Sequence, residues 1–186
     1  MEHNLMSTLS IKELSHPSGE VIKIASGKTL DLNSQGTLVL PTIPHAKMPS
    51  GSVLQVVQGV QNVAVSSASA SWTDTGLSAS ITPISTSSKI MVTIACSGIV
   101  MNCNYSGVKL VRGSTDVAAN WQYTVNSTWV PITWLISYLD APSTTSATTY
   151  KAHLLISGTS NYVRWNYVGN SSIQPTATIT LMEIQG

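Results

Sequence analysis

Phenylalanine is absent from this chain of 186 residues, and Asp, Glu, Lys and Arg together make up only 9% of it. An ordinary soluble domain carries roughly 25%. Nine basic and eight acidic residues leave a formal net charge of +1, with no basic cluster. Neutralising a phosphate backbone takes many Lys and Arg, so nucleic acid is not an expected partner. The apolar runs are short and broken by hydroxyl residues, which excludes a membrane-spanning helix or a signal peptide and predicts no membrane insertion. There are only two cysteines, Cys96 and Cys103. Either they bridge the two arms of a bend around Gly98, or Cys96 packs as a small apolar group and Cys103 stays unbonded near a loop. A reducing cytoplasm, which keeps thiols reduced, would favour the second, and that is the expectation. Their spacing and neighbours match no metal site, and neither metal nor cofactor is expected.

What remains is 42% hydrophobic, with five Trp and six Tyr in place of Phe. Disordered chains are poor in aromatic and β-branched residues, so these residues at strand spacing predict a folded, all-β protein. Ser69–Cys96 shows the pattern best. Apolar and polar positions alternate through Leu77, Ala79 and Ile81, break at Pro83 and a Ser/Thr run, then resume through Ile90, Val92, Ile94 and Cys96. The stretch reads as an early hairpin of a β-sandwich, with Trp72 closing the end of the layer.

Three prolines, Pro41, Pro44 and Pro49, forbid helix and central strand and mark a connector ending near Gly51. Residues 1–51 are therefore expected to be a separate N-terminal segment, read below as one for oligomerisation, and residues 52–186 a head. In the first part the alternating runs Val21–Ile24, Thr29–Leu32 and Thr37–Leu40 each offer few large apolar side chains. So small a sheet is marginal alone. Trimerisation around a three-fold axis would bury Ile22, Ile24, Leu30, Leu32, Leu38 and Leu40 together; folding back on the same chain's head is the alternative. Translation could also start at Met6. In the head, strands are expected at Val53–Gln58, Asn62–Ser67, Ser78–Thr82, Lys89–Met101, Val108–Arg112, Asp116–Val125, Thr128–Leu139, Thr148–Ser157, Tyr162–Val168 and Ala177–Ile184. Their spacing and Gly/Ser/Asn turns predict an antiparallel, jelly-roll-like β-sandwich.

Three segments carry a resemblance: W-T-D-T-G-L-S-A-S-I-T-P with S-S-K-I-M-V, S-Y-L-D-A-P-S-T-T-S-A-T-T-Y-K at Ser137–Lys151, and A-T-I-T-L-M-E-I at Ala177–Ile184. They resemble virion structural proteins of tailed bacteriophages, especially C-terminal domains of tail-fibre-like proteins from phages of aquatic bacteria. A weaker likeness covers H-P-S-G at His16–Gly19 and S-G-K-T-L-D-L at Ser26–Leu32. The resemblance implies a trimeric appendage on the particle exterior, assembled in the host cytoplasm. Its head would meet the host surface, with a surface glycan as a candidate receptor, and its N-terminal segment would join a tail adaptor. The alternative is a trimeric capsid decoration protein gripping the major capsid protein. A lectin-like module outside any virion rests on fold analogy alone.

No pair of carboxylates suggests glycoside hydrolysis among Asp74, Asp116, Asp140 and Glu183. Glu183 reads as a solvent-facing or subunit-contacting charge on the last strand. His153 reads as a satisfied structural group, since no nucleophile elbow stands beside it. No enzyme activity is expected. Trp121, Tyr123 and Val125 share one strand face, as do Val163, Trp165 and Tyr167; both sets read first as core or subunit interface and second as a sugar-stacking surface. Host contacts are expected from the polar segments Asn102–Gly107, Asn120–Gln122 and Asn170–Gln174, with Asn104, Tyr105, Asn120, Gln122 and Asn170 as candidates. The triplets beginning at Asn104, Asn126 and Asn170 match the glycosylation sequon, an expected coincidence in so Asn/Ser/Thr-rich a chain.

Overall fold

A computed structural model of the chain describes residues 44–101, 103–123, 130–157, 162–167 and 175–186. The expected trimerisation residues Ile22, Ile24, Leu30, Leu32, Leu38 and Leu40, and the candidate Asn170, lie outside the described residues. The compact unit that holds the described residues runs Ile43–Gly186 and so begins inside the proline-rich stretch.

After a single 3-10 turn at His45–Lys47, every regular element among the described residues is a strand. These are β1 Val53–Gln61, β2 Val65–Ser67, β3 Thr73–Ile81, β4 Lys89–Met101, β5 Tyr105–Arg112, β6 Thr115–Tyr123, β7 Val130–Asp140, β8 Thr148–Ile156, β9 Tyr162–Trp165 and β10 Ala177–Ile184. Tyr105–Gly107, ahead of the strand expected at Val108–Arg112, already belongs to β5, and Asn120–Gln122 lies within β6, inside the strand expected at Asp116–Val125.

The strands form two antiparallel sheets. In the first, β7 pairs with β4 along one edge from Ile90 to Val100. The other edge of β4 is shared end to end, by β10 over Lys89–Ala95 and by β9 over Gly98–Met101. β1 and β2 lie outside these as β10's and β9's partners. The second sheet has the order β3-β8-β5-β6. Pairing is therefore nested: β5 with β6, β4 with β7, β3 with β8, and β1 and β2 with β10 and β9. A long hairpin rolled up in this way is a jelly roll, four strands wide in each sheet.

Two expectations for the Ser69–Cys96 stretch are overturned. β3 and β4 are not a hairpin, because β3 pairs with β8 in one sheet while β4 lies in the other. Residues 82–88 arch across the sandwich, with Pro83 and Ser88 buried. Both strands turn their apolar face inward in either arrangement, so period-two alternation is the same for an arch and a hairpin. Trp72 does not close the layer but lies outside the second sheet, where it meets Trp121.

Between the sheets Leu77, Ile81, Ile90, Ile94, Leu110, Leu154, Ile156, Ile179 and Leu181 are almost completely buried, each worth about 1.5–3 kcal/mol over exposure. Trp134 and Trp165 stack at 6.0 Å with 20° between their planes and fill volume that Phe would otherwise supply. The Val163–Trp165 ladder is thus core. Cys96 and Cys103 are both buried and not bonded to each other.

Two carboxylates are buried with partners, as the cost of desolvating charge requires. Asp140 Oδ2 accepts from Arg112 Nη1 at 2.6 Å and from the Tyr150 hydroxyl at 2.7 Å. Glu183 corrects its expected solvent-facing position, since it is fully buried. Its Oε2 accepts from the Gln55 amide at 2.5 Å and its Oε1 from the Ile84 N–H at 2.7 Å. Burial pushes its pKa up, but these donors outweigh burial and hold it below the usual glutamate value.

Candidate functional site

The outer face of the second sheet carries the chain's most concentrated exposed aromatic surface among the described residues. Register places Gly107 of β5 opposite Trp121 of β6, and Tyr105 opposite Tyr123. Alternation then puts all four on the side away from the core, because Ser106 and Val108 between them are fully buried. Trp121 is 44%, Tyr105 38% and Tyr123 84% exposed. Of the two places first expected for Trp121 and Tyr123, core or subunit interface, the core of this chain is therefore overturned. Period two identifies a shared face but not its direction, and the opposite face of β6 carries Ala118, Asn120 and Gln122 rather than large apolar groups.

The rings support one another. Trp72, just before β3, meets Trp121 edge to face at 5.2 Å and 60°. Tyr105 meets Trp121 at 5.5 Å and 67°, and Tyr123 at 6.1 Å and 54°. The two edge-to-face pairs, Trp72–Trp121 and Tyr105–Trp121, contribute about 0.5–1.5 kcal/mol each. Gly107 is the floor on which they rest: a Cβ there would lie 2.9 Å from Trp121 Cε3 and 3.1 Å from Trp72 Cη2. The start of β5 is pinned by the Ser157 hydroxyl, which accepts from the Asn104 and Tyr105 N–H groups. Together Tyr105, Trp121 and Tyr123 line an open concavity of about 370 Å³.

Charged groups flank the rings. Lys109 Nζ lies 4.8 Å from the Trp72 ring centre, a cation–π contact, and 2.8 Å from Asp116 Oδ1. Farther across the sheet Asp74 Oδ2 pairs with Lys151 at 3.0 Å, with His153 Nε2 at 3.9 Å. Burial raises the Asp74 pKa, but the Gly76 N–H and Lys151 prevail and hold it below the ordinary aspartate value. Burial, reinforced by Lys109 and Lys151 against the pull of Asp74, lowers the pKa of His153 and keeps its imidazole neutral at pH 7. His153 is thus a partly buried group beside a carboxylate.

Of the candidate contacts, Tyr105 belongs to this surface, and Asn104 is exposed just beside it. Asn120 donates its amide to the Leu135 carbonyl at 2.8 Å, tying β6 to β7 of the other sheet. Gln122 is half-buried on the opposite face of β6 from the rings. Sequence reasoning missed Trp72, Lys109 and Asp116, which converge from three different strands or their borders. The available signal was Gly107 beside Tyr105, a glycine within a strand marking close approach.

Among the described residues no group of three or more His, Cys, Asp or Glu side chains is placed to hold a metal ion. No helix among them is long and apolar enough to cross a membrane. No protein-family model matches the chain, and no curated protein matches it. The chemistry of the surface is what its residues supply. Rigid rings offer flat faces, and the ion-paired side chains beside them offer donors and acceptors.

Proposed function

We propose that the chain is a virion structural protein of a tailed bacteriophage, a homotrimeric tail-fibre-like appendage. Its head binds a neutral host-surface glycan, with no catalytic step. The observation that carries the binding half of this reading is the Tyr105–Trp121–Tyr123 surface. Sugar rings present a hydrocarbon face to an aromatic ring and hydroxyls around its edge. A stacked pyranose here would meet the faces of Tyr105, Trp121 and Tyr123, while Trp72, Lys109 and Asp116 line an adjoining concavity open to a second sugar unit. Three copies of a weak site on one appendage multiply its effect through avidity. The virion half rests on the phage-like segments quoted above; in it the protein stands on the particle exterior with a tail adaptor as its partner.

The test uses the full chain on an array of neutral and charged glycans and on intact host cells. Binding should fall at least tenfold for Trp121→Ala and Tyr123→Ala, as for central aromatic contacts elsewhere. Unfolding should remain that of the parent for Tyr123→Ala, whose ring is mostly exposed. Binding unaffected by both changes would remove this surface from the reading. Saturable binding to undecorated capsids, with no binding to cells, would instead favour the decoration role.

A further inference from the structure

We infer that the outer face of the first sheet is the surface through which copies of this chain pack together. This inference rests on the trimeric part of the reading above and names the surface that part leaves unspecified. Register lines up Val56, Met182, Met91 and Leu139 in one row across β1, β10, β4 and β7. Two residues along, the row is Gln58, Thr180, Thr93 and Ser137, and two further it is Val60, Thr178, Ala95 and Leu135. The face thus alternates apolar and uncharged polar rows. Val56 is 56%, Val60 60%, Leu135 55% and Leu139 50% exposed. Among the described residues of this face, no acidic or basic side chain stands between Lys89 at one end and Arg164 at the other.

Three features select a second copy as the occupant. Hydroxyl and amide groups both donate and accept, so a row of Thr, Ser and Gln can satisfy an identical row without desolvating charge. The charge pattern by which a protein rejects unlike partners is missing from this face. Finally, the chain enters the head at the border of this face. The Gly51 N–H bonds to the Gln185 carbonyl at 2.8 Å, and the Gln185 N–H to the Ser52 carbonyl at 2.8 Å. A tether joined to the head there meets it beside the start of β1. From strand spacing and rise the three rows cover roughly 400 Å² of flat area, below the ~800 Å² per partner of a standard stable interface. A face of this size is suited to heads already tethered together and not to free monomers. The ringed face of the other sheet is left turned outward for ligand.

The experiment compares Ser137→Cys, on this face, with Ser80→Cys, on the outer face of the second sheet, in the full chain; both serines are exposed in the single chain. Mass is measured by sedimentation, and the rate of maleimide labelling is followed. The expected result is a trimer in which the thiol introduced at position 137 labels at least tenfold more slowly than the one at position 80. A short bis-maleimide should also join copies of the Ser137→Cys variant and not those of Ser80→Cys. A trimer in which both introduced thiols label at the same rate, with no joining of the Ser137→Cys copies, overturns this inference and leaves the trimeric reading standing. A monomer overturns both.

Discussion

A methyl group added at Gly59 or at Gly107 meets different neighbours, and the difference separates the core of the head from its binding surface. At Gly59, in β1, a Cβ would run into the Ser78 carbonyl oxygen of β3 and lie 2.9 Å from Ile179 Cγ2. Backbone faces it from the other sheet, so relief requires the sheets to part at that edge. Gly59→Ala should lose about 3 kcal/mol, the upper end for overpacking, or roughly 10 °C in melting temperature for a domain of this size. At Gly107 the obstacles are side chains and not backbone, the benzo edge of the Trp121 ring and the far tip of Trp72, and both rings lie on the outer face, where they can shift toward solvent. The lost ring contacts, about 0.5–1.5 kcal/mol, are offset by the ~0.5–1 kcal/mol that Ala gains over Gly within a strand. Gly107→Ala should therefore melt within about 1 kcal/mol of the parent, yet change the near-ultraviolet circular dichroism that the Trp72–Trp121 pair produces. Glycan binding should weaken at the same time. Thermal unfolding followed in the far ultraviolet, with near-ultraviolet spectra at about 25 °C, measures both. Equal destabilisation by the two changes would refute the reasoning, as would a Gly107→Ala spectrum identical to the parent's.

Further outcomes are expected elsewhere in the head. Glu183→Gln keeps the side chain's shape but turns an amide donor toward Gln55 or Ile84, and should lose about 1–3 kcal/mol in denaturant unfolding. The parent's folded-state Glu183 pKa lies below its ordinary value of 4.5. Its contribution is therefore complete above pH 4.5 and is lost as pH falls through the lower folded value, an acid-side slope that Glu183→Gln should lack. The lowered pKa of His153 acts in the same direction, stability declining as pH falls below 6.5 because the unfolded chain takes up the proton first. Burial pushes the Cys96 thiol far above its usual range and also encloses Cys103. Neither should react with maleimide at pH ~7 until the protein is unfolded, which mass spectrometry of labelled samples will show.

Much of the fold was legible because a strand with one buried face must alternate. Ile90, Val92, Ile94 and Cys96 announce β4, and Ile179 with Leu181 announce β10. Which sheet each strand joins was not legible. The Ser69–Cys96 stretch alternates identically whether residues 82–88 turn back within one sheet or arch to the other. The same limit explains the aromatic ladders. Trp165 and Trp121 sit in equivalent patterns, yet one stacks in the core and the other faces solvent, because direction is set by strands far away in the chain. Glu183 misled for a related reason, its partners Gln55 and Ile84 lying 128 and 99 residues distant. Of the candidate contacts, Tyr105 emerged from its polar segment, while Trp72, Lys109 and Asp116 become neighbours only once β3, β5 and β6 share a sheet.

The chain is proposed to be an external part of a phage particle, with its head facing the host. Electron microscopy of purified particles made from the genome that encodes it, labelled with an antibody raised against the chain, tests that placement most directly. Label at the tail extremity is predicted. Label spread over the shell would move the protein to the decoration role, and particles that carry no label while the antibody detects the chain in the same lysate would contradict the proposal.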